Sequence, residues 1–294
     1  GTLMTVSDST ISGNSAADDG GGIRVSVSQL MLTNSAVTGN YAADDGGGIR
    51  VVDSQLTLTN STVAGNSAED DGGGIRASST STVTITNCTI SGNSAIGDDG
   101  GGLRIDGGST LKLTNSTVAG NSAASDGGGI FVDGNSSMTL TNSIIANSPG
   151  GGDCRAVDAD VTGSYNLIGD SGDDACGLSN GVDSNIIGTD PDLGPLADNG
   201  CETLAGNPNG PAASYGCVQT HALLTVSPGI DTADTAAAPD TDQRGVSRPQ
   251  GPAADIGAYE AAVAAPIPTL SVWGLLASAG LLGLFGARRQ RRRR

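Results

Sequence analysis

Aromatic side chains are scarce: one Trp, four Tyr and two Phe among 294 residues, 2 % of the chain. Compact globules draw much of their buried area from such rings, so their scarcity argues against a thick core. Histidine is rarer still, with His221 alone. One imidazole and no Cys-x-x-Cys pair exclude the common zinc centres. Six of the 14 basic residues are tail arginines (Arg288, Arg289 and Arg291 to Arg294), leaving eight against 31 acidic residues elsewhere. A body so acidic repels nucleic acid and anionic lipid and attracts cations. No Gly-x-Ser-x-Gly elbow accompanies His221, and the glycine-rich stretches lack the Lys-Ser/Thr of a phosphate loop. No signal peptide is visible at Gly1, so either one has been removed or the chain is a fragment; because it opens partway through a repeat, a fragment with upstream sequence is expected.

What is present is repetition. Gly-Gly-Gly-Ile/Leu ends at Ile23, Ile49, Ile75, Leu103 and Ile130, with spacings of 26, 26, 28 and 27. Thr-Asn-Ser/Cys places Asn34, Asn60, Asn87, Asn115 and Asn142, and Gly-Asn places Asn14, Asn40, Asn66, Asn93 and Asn121. Three markers recurring in step are the signature of a stacked array. Stretches such as Leu56-Thr57-Leu58-Thr59 and Val83-Thr84-Ile85-Thr86 alternate apolar and polar, the period of a strand with one face inward. A second strand follows each glycine triplet, and a third, with Val37, Val63, Ile90 or Val118 inward, precedes each Gly-Asn. Asn, Asp and Gly mark the corners, where positive φ is needed. Leucine-rich horseshoes need helical stretches and propeller blades need about 40 residues, so neither fits.

The pattern predicts an all-β, right-handed parallel β-helix with three short strands per coil over residues 1–148. Asn34, Asn60, Asn87, Asn115 and Asn142 are expected to form its internal amide ladder, with Asp8 in the matching place of the first coil. Irregular coils and a cap follow over 149–260, then a linker and motif (261–269), an uncharged stretch (270–287) and a basic tail (288–294). Eighteen residues at 1.5 Å rise span about 27 Å, enough for one transmembrane helix whose basic end lies in the cytoplasm. Cys154, Cys176, Cys201 and Cys217 are candidate disulfide partners with the connectivity open, as suits an oxidising compartment. Cys88 stands where Ser35, Ser61, Ser116 and Ser143 stand in other coils and is expected as a buried thiol.

The acidic corners are the candidate metal site. Asp18-Asp19, Asp44-Asp45, Asp70-Asp71 and Asp98-Asp99 recur before the glycine triplets, and stacked carboxylates repel by about 0.8 kcal/mol per solvated pair. Calcium would relieve this, since it takes several carboxylate and carbonyl oxygens. So would Arg24, Arg50, Arg76 and Arg104, five residues beyond each second Asp. No catalytic residue is assigned, because a catalytic constellation interrupts a repeat at one place. The nearest irregular cluster, Asp153, Arg155, Asp158 and Asp160, is expected in an exposed loop. The alternative is a carbohydrate-active enzyme, a polysaccharide lyase or glycoside hydrolase on a pectate-lyase-like fold.

Two resemblances extend this reading. Thr189-Asp190-Pro191-Asp192-Leu193-Gly194, Thr220-His221-Ala222-Leu223-Leu224, Ser227-Pro228-Gly229-Ile230-Asp231, Asp242-Gln243-Arg244-Gly245, Arg248-Pro249 and Asp255-Ile256-Gly257-Ala258-Tyr259-Glu260 follow in order. The series resembles the choice-of-anchor Q family, similar to CSLREA-type and polymorphic outer-membrane-type β-helix proteins. Gly200-Cys201-Glu202-Thr203-Leu204 and Ala254 depart from that pattern. The bottom-up reading of the series is a cap of Asp, Arg and Gly closing the last coil. Ile267, Pro268, Thr269, Leu270, Trp273 and Gly274 resemble the IPTLxxWG sorting signal, followed by an apolar stretch and a basic end. That resemblance implies an exosortase-type partner and a cell-envelope or secreted location. The sequence reading is therefore a surface scaffold for adhesion or for contact with glycans or envelope components.

Overall fold

The computed structural model describes residues 1–200 and 218–262, and residues 1–261 form one compact unit. The chain winds into a parallel solenoid with four sheets in place of the three expected. Sheet 1 has seven strands, Leu3–Ser7, Gln29–Thr33, Gln55–Thr59, Thr82–Thr86, Thr110–Thr114, Ser137–Thr141 and Asp160–Ser164. Sheet 2 has eight, starting with Thr10–Ser12, Ala36–Thr38, Thr62–Ala64, Thr89–Ser91, Thr117–Ala119 and Ile144–Ala146. Sheet 3 is the unexpected one, built from the pairs Ser15–Ala16, Tyr41–Ala42, Ser67–Ala68, Ser94–Ala95 and Ser122–Ala123. Two residues are too short a stretch for alternation to register, which is why the sequence hides it. Sheet 4 runs from Ile23–Ser26 through Ile49–Val52, Ile75–Ser78, Leu103–Ile105 and Ile130–Val132 to Cys154–Ala156.

Like residues stack in register. Leu56 pairs with Val83, and Val83 with Leu111; Val63 pairs with Ile90, and Ile90 with Val118. Their side chains, with Leu30, Leu58, Ile75, Ile85, Leu103 and Leu113, are essentially fully buried in one continuous core. It is one aliphatic layer per coil, which is why the chain needs few aromatic rings. The coil continues past residue 148, with Cys154–Ala156, Asp160–Ser164 and Leu167–Ile168 pairing onto their predecessors.

The continuous amide ladder is the other asparagine column. Asn14, Asn40, Asn66, Asn93 and Asn121 point inward at the corner between sheets 2 and 3. The backbone N–H and Nδ2 of Asn40 both donate to Asn66 Oδ1, at 3.0 and 2.9 Å, and Asn66 repeats this toward Asn93. Each Nδ2 also donates to a strand carbonyl, Ile11 for Asn40 and Val37 for Asn66. The predicted column, Asn34 to Asn142, occupies the corner between sheets 1 and 2 with φ between 43° and 51°, Asp8 taking the matching place at φ 48°. It bonds along itself only in part, Asn34 Nδ2 to Asp8 Oδ1 at 3.2 Å and Asn142 Nδ2 to Asn115 Oδ1 at 3.1 Å. Short side chains that tolerate the left-handed region are what this corner demands. The inward residue there is the next one: Ser35 N–H donates to Ser61 Oγ, Ser61 N–H to Cys88 Sγ, and Cys88 N–H to Ser116 Oγ. Cys88 is the buried free thiol expected. A third ladder, Ser28, Ser54, Ser81, Ser109 and Ser136, fills the corner between sheets 4 and 1.

Residues 218–262 do not close the last coil. They run back along the outer face of sheet 2 as a strap. Leu223, Ala233, Ala254 and Ile256 pack on Ile144, Ala146 and Leu167, a second apolar cluster outside the solenoid. That placement keeps Thr62, Thr89, Thr117 and Ile144 buried although they face outward. Gly257, at φ 99°, lies so close to sheet 2 that a Cβ would meet Ile144 Cδ1 at 2.8 Å and Thr117 Oγ1 at 2.9 Å.

Candidate functional site

The loop between sheets 3 and 4 carries the paired aspartates, and the outward residue of each following strand is Arg24, Arg50, Arg76 or Arg104, paired in register. All eight predicted acids therefore line one edge, in two columns with different surroundings. The inner column is structural. Asp45 and Asp71 are buried, and Asp45 Oδ1, Asp71 Oδ1 and Asp99 Oδ1 accept the backbone N–H of Asp71, Asp99 and Asp126 in the coil above. The arginines interleave with this column. Arg50 Nε lies 3.6 Å from both Asp19 and Asp45. Arg76 contacts Asp45 at 3.2 Å, Asp71, and Asp106 at 2.9 Å. Arg104 reaches Asp71 at 3.6 Å and Asp133 at 3.1 Å, and its guanidinium stacks 4.3 Å from the Phe131 ring. Sequence reasoning missed Asp106 and Asp133; the signal was an Asp two residues after Arg104 and another at the same corner one coil on.

The outer column, Asp18, Asp44, Asp70 and Asp98, has fewer partners. Three triads, Asp18/Asp19/Asp44, Asp44/Asp45/Asp70 and Asp70/Asp71/Asp98, each place their carboxylate oxygens within 4.8 Å of one another. Asp44 is held above the ordinary carboxylate range by burial first, then by Asp45, Asp19, Asp70 and Asp18. Burial raises Asp99 also, opposed by the Asp126 N–H bond. Burial and neighbouring Arg76 lower the Arg50 guanidinium. Chemically, each triad offers a hard cation the oxygens of two outer acids, while its one inner acid, Asp19, Asp45 or Asp71, is already engaged by arginine.

The strap is held by a buried polar clasp made of the recognised motif residues. Asp242 Oδ2 accepts from Arg244 Nε and Nη2 at 2.9 and 2.6 Å, and Arg244 stacks 3.6 Å over the Tyr259 ring. Arg248 and Glu260 form an ion pair at 3.3 Å with both side chains 1 % exposed. Burial lowers Arg248 and raises Glu260 and Asp255, whose carboxylates accept backbone N–H bonds. The corner asparagines receive the strap: Asn87 Nδ2 donates to Thr241 O, Asn142 Nδ2 donates to Asp234 O, and Asn142 Oδ1 accepts from Asp234 N–H. Gln243 reaches Thr62 and Thr89 on sheet 2.

His221 bridges strap and solenoid. Its Nδ1 lies 2.8 Å from Gly194 O and its Nε2 2.8 Å from Ser91 Oγ. A carbonyl only accepts, so Nδ1 carries the proton and Nε2 faces the hydroxyl. Burial holds the imidazole below its ordinary value. Ser91 is only 5 % exposed, which makes the pair a peg between two surfaces.

Among the irregular acids, the exposed-loop expectation fails for Asp153, which is 2 % exposed. Its Oδ2 accepts the Asp170 N–H at 2.8 Å while Asp170 Oδ2 accepts the Asp153 N–H at 3.0 Å. This reciprocal clamp locks successive coils beside a shallow pocket of about 190 Å³. Cys154 is joined to Cys176, with Cα atoms 5.0 Å apart. Cys201, Cys217, the motif residues 267–274 and the proposed membrane helix 270–287 lie outside the described residues; among those described, no helix is long and apolar enough to cross a membrane.

Two stretches match described families. Residues 1–118 match the right handed beta helix region, in agreement with the handedness expected from the sequence. Residues 265–293 match the IPTL-CTERM motif. No curated protein and no solved structure matches the chain. Fold and tail define the class: a parallel β-solenoid protein bearing a C-terminal sorting motif of the kind found on surface-sorted proteins.

Proposed function

We infer that this is a non-catalytic surface scaffold of the choice-of-anchor Q and CSLREA-like kind. An exosortase-type enzyme sorts it through its tail, residues 270–287 form the membrane helix, and the displayed solenoid serves adhesion or contact with envelope glycans. The observation that carries this reading is the sorting-motif match on a solenoid whose buried polar groups are largely engaged by its own stacking. Asp19, Asp45 and Asp71 pair with arginines, the Asn14 to Asn121 amides bond each other, and the clasp residues bond the strap. Catalysis needs groups left free to engage a substrate.

Expression of the full chain in hosts with and without an exosortase tests delivery. The expected result is surface protease sensitivity in both, with the C-terminal peptides lost only where the enzyme is present. A full-length cytoplasmic protein in both hosts overturns it. Release of reducing ends or unsaturated uronates from pectin or alginate, abolished by Asp153→Asn, would install the enzyme alternative instead.

A further inference from the structure

Sheet 1 is the one large sheet whose outer face stays open among the described residues. The strap covers sheet 2, the Asp–Arg array covers sheet 4, and sheet 3 has only two residues per strand. The outward positions of sheet 1 form three columns. One reads Ser7, Thr33, Thr59, Thr86, Thr114, Thr141 and Ser164; the next includes Thr5, Thr57, Thr84, Thr139 and Thr162. The inward partners of these columns, such as Leu56, Leu58, Val83 and Ile85, are fully buried, so the hydroxyls are held outward by the core and need no ordering of their own.

Charge and area select the occupant. Lys112 and Asp160 are the only charged outward residues on this face, in a chain of net charge −17. A polyanion is repelled by the body as a whole, and a polycation is drawn to the aspartate edge instead. Seven strands at about 4.8 Å spacing by five residues at about 3.3 Å give roughly 29 by 16 Å, on the order of 450 Å². A stable protein–protein interface needs about 800 Å² per partner, so a second copy or another protein is poorly served. A narrow linear ligand fits.

We propose that sheet 1 is a docking surface for an uncharged, extended polysaccharide lying along the solenoid axis and meeting a new row of threonine and serine hydroxyls at each coil. This rests on the scaffold reading and names its partner class. Many weak hydrogen bonds repeated along a polymer add as avidity, which suits a display protein better than a single tight site.

The test uses the full chain in mild detergent, with cellulose, chitin and soluble mixed-linkage β-glucan as probes and polygalacturonate as the anionic control. Retention on at least one neutral glycan and none on polygalacturonate is expected. The triple variant Thr57→Val, Thr84→Val, Thr139→Val should weaken retention at least tenfold with an unchanged melting temperature, while Asp70→Asn on the acidic edge should leave it unchanged. Equal binding by the triple variant, preference for polygalacturonate, self-association through this face, or no retention on any neutral probe overturns the proposal. The delivery experiment above fails or stands separately, since it reads location and tail processing and not glycan binding.

Discussion

At the residue scale, two asparagine columns of the same composition do different work. Asn66 makes and receives bonds on both sides: its Nδ2 donates to Val37 O and Asn93 Oδ1, and its Oδ1 accepts two N–H groups of Asn40. Asn60 holds a left-handed corner at φ 48°, and its Oδ1 is buried without a partner among the described residues. Asn66→Ala therefore orphans several buried groups and should cost about 3 kcal/mol or more. Asn60→Ala should cost about 1 kcal/mol for the corner conformation, and Asn60→Gly almost nothing. Thermal melting of the three variants checks the ranking; equal losses for Asn66→Ala and Asn60→Ala would mean that the ladder has been assigned to the wrong column. Cys88 is a serine position occupied by sulfur. Burial pushes its thiol up to about 12, so iodoacetamide should label it only after unfolding, and Cys88→Ser should shift stability by less than about 1 kcal/mol.

At the element scale, the Asp–Arg edge joins neighbouring strands of sheet 4 electrostatically. Like charges stack in register at the strand spacing, and the array holds because Arg50, Arg76 and Arg104 each reach acids of more than one coil. The two aspartate columns should respond with opposite sign. Asp71→Asn deprives Arg76 and Arg104 of a partly buried partner and should cost about 3 kcal/mol. Asp70→Asn removes a member of two crowded triads and should raise stability by a few tenths of a kcal/mol. With the inner acids already bonded to arginine, the melting midpoint should be the same in calcium and in EGTA. A calcium-dependent rise, abolished by Asp70→Asn, would assign the two triads that share Asp70 to the metal.

At the scale of the whole molecule, the strap makes the solenoid more than a sum of coils. It bonds Ser61, Thr62, Asn87, Thr89, Asn115, Thr117 and Asn142, which belong to successive coils. Local opening of any of these must first release the strap. His221 gives this docking a pH dependence. Its folded pKa lies below the ordinary value of 6.5, so the unfolded chain binds the extra proton first. The stability this contributes is present above pH 6.5 and is lost as pH falls through the folded value. Asp255 and Glu260, raised by burial, act oppositely in the lower carboxylate window, where acidification first favours the folded state. His221→Gln should flatten the decline just below pH 6.5; an unchanged slope in melting temperature between pH 7.5 and 5.5 would remove the histidine from this role.

The repeat length, the inward apolar residues, the parallel stacking and the proximity of acids to arginines were all legible in the chain, because each depends on spacing that survives without knowledge of neighbours. Sheet 3 was not, since two-residue strands carry no period. Nor was the choice of asparagine column: inward or corner placement depends on which residue takes the positive φ, and Thr-Asn-Ser and Gly-Asn both supply one. The strap was legible as a series of motifs but not as a location. Chain order suggests an end cap, whereas the outward face of sheet 2, with Thr62, Thr89, Thr117 and Ile144 aligned across four coils, exists only once the coils have stacked. Sequence alone determined the winding; tertiary structure decided which faces are covered and which are left to meet a partner, because coverage depends on residues far apart in the chain coming to lie side by side.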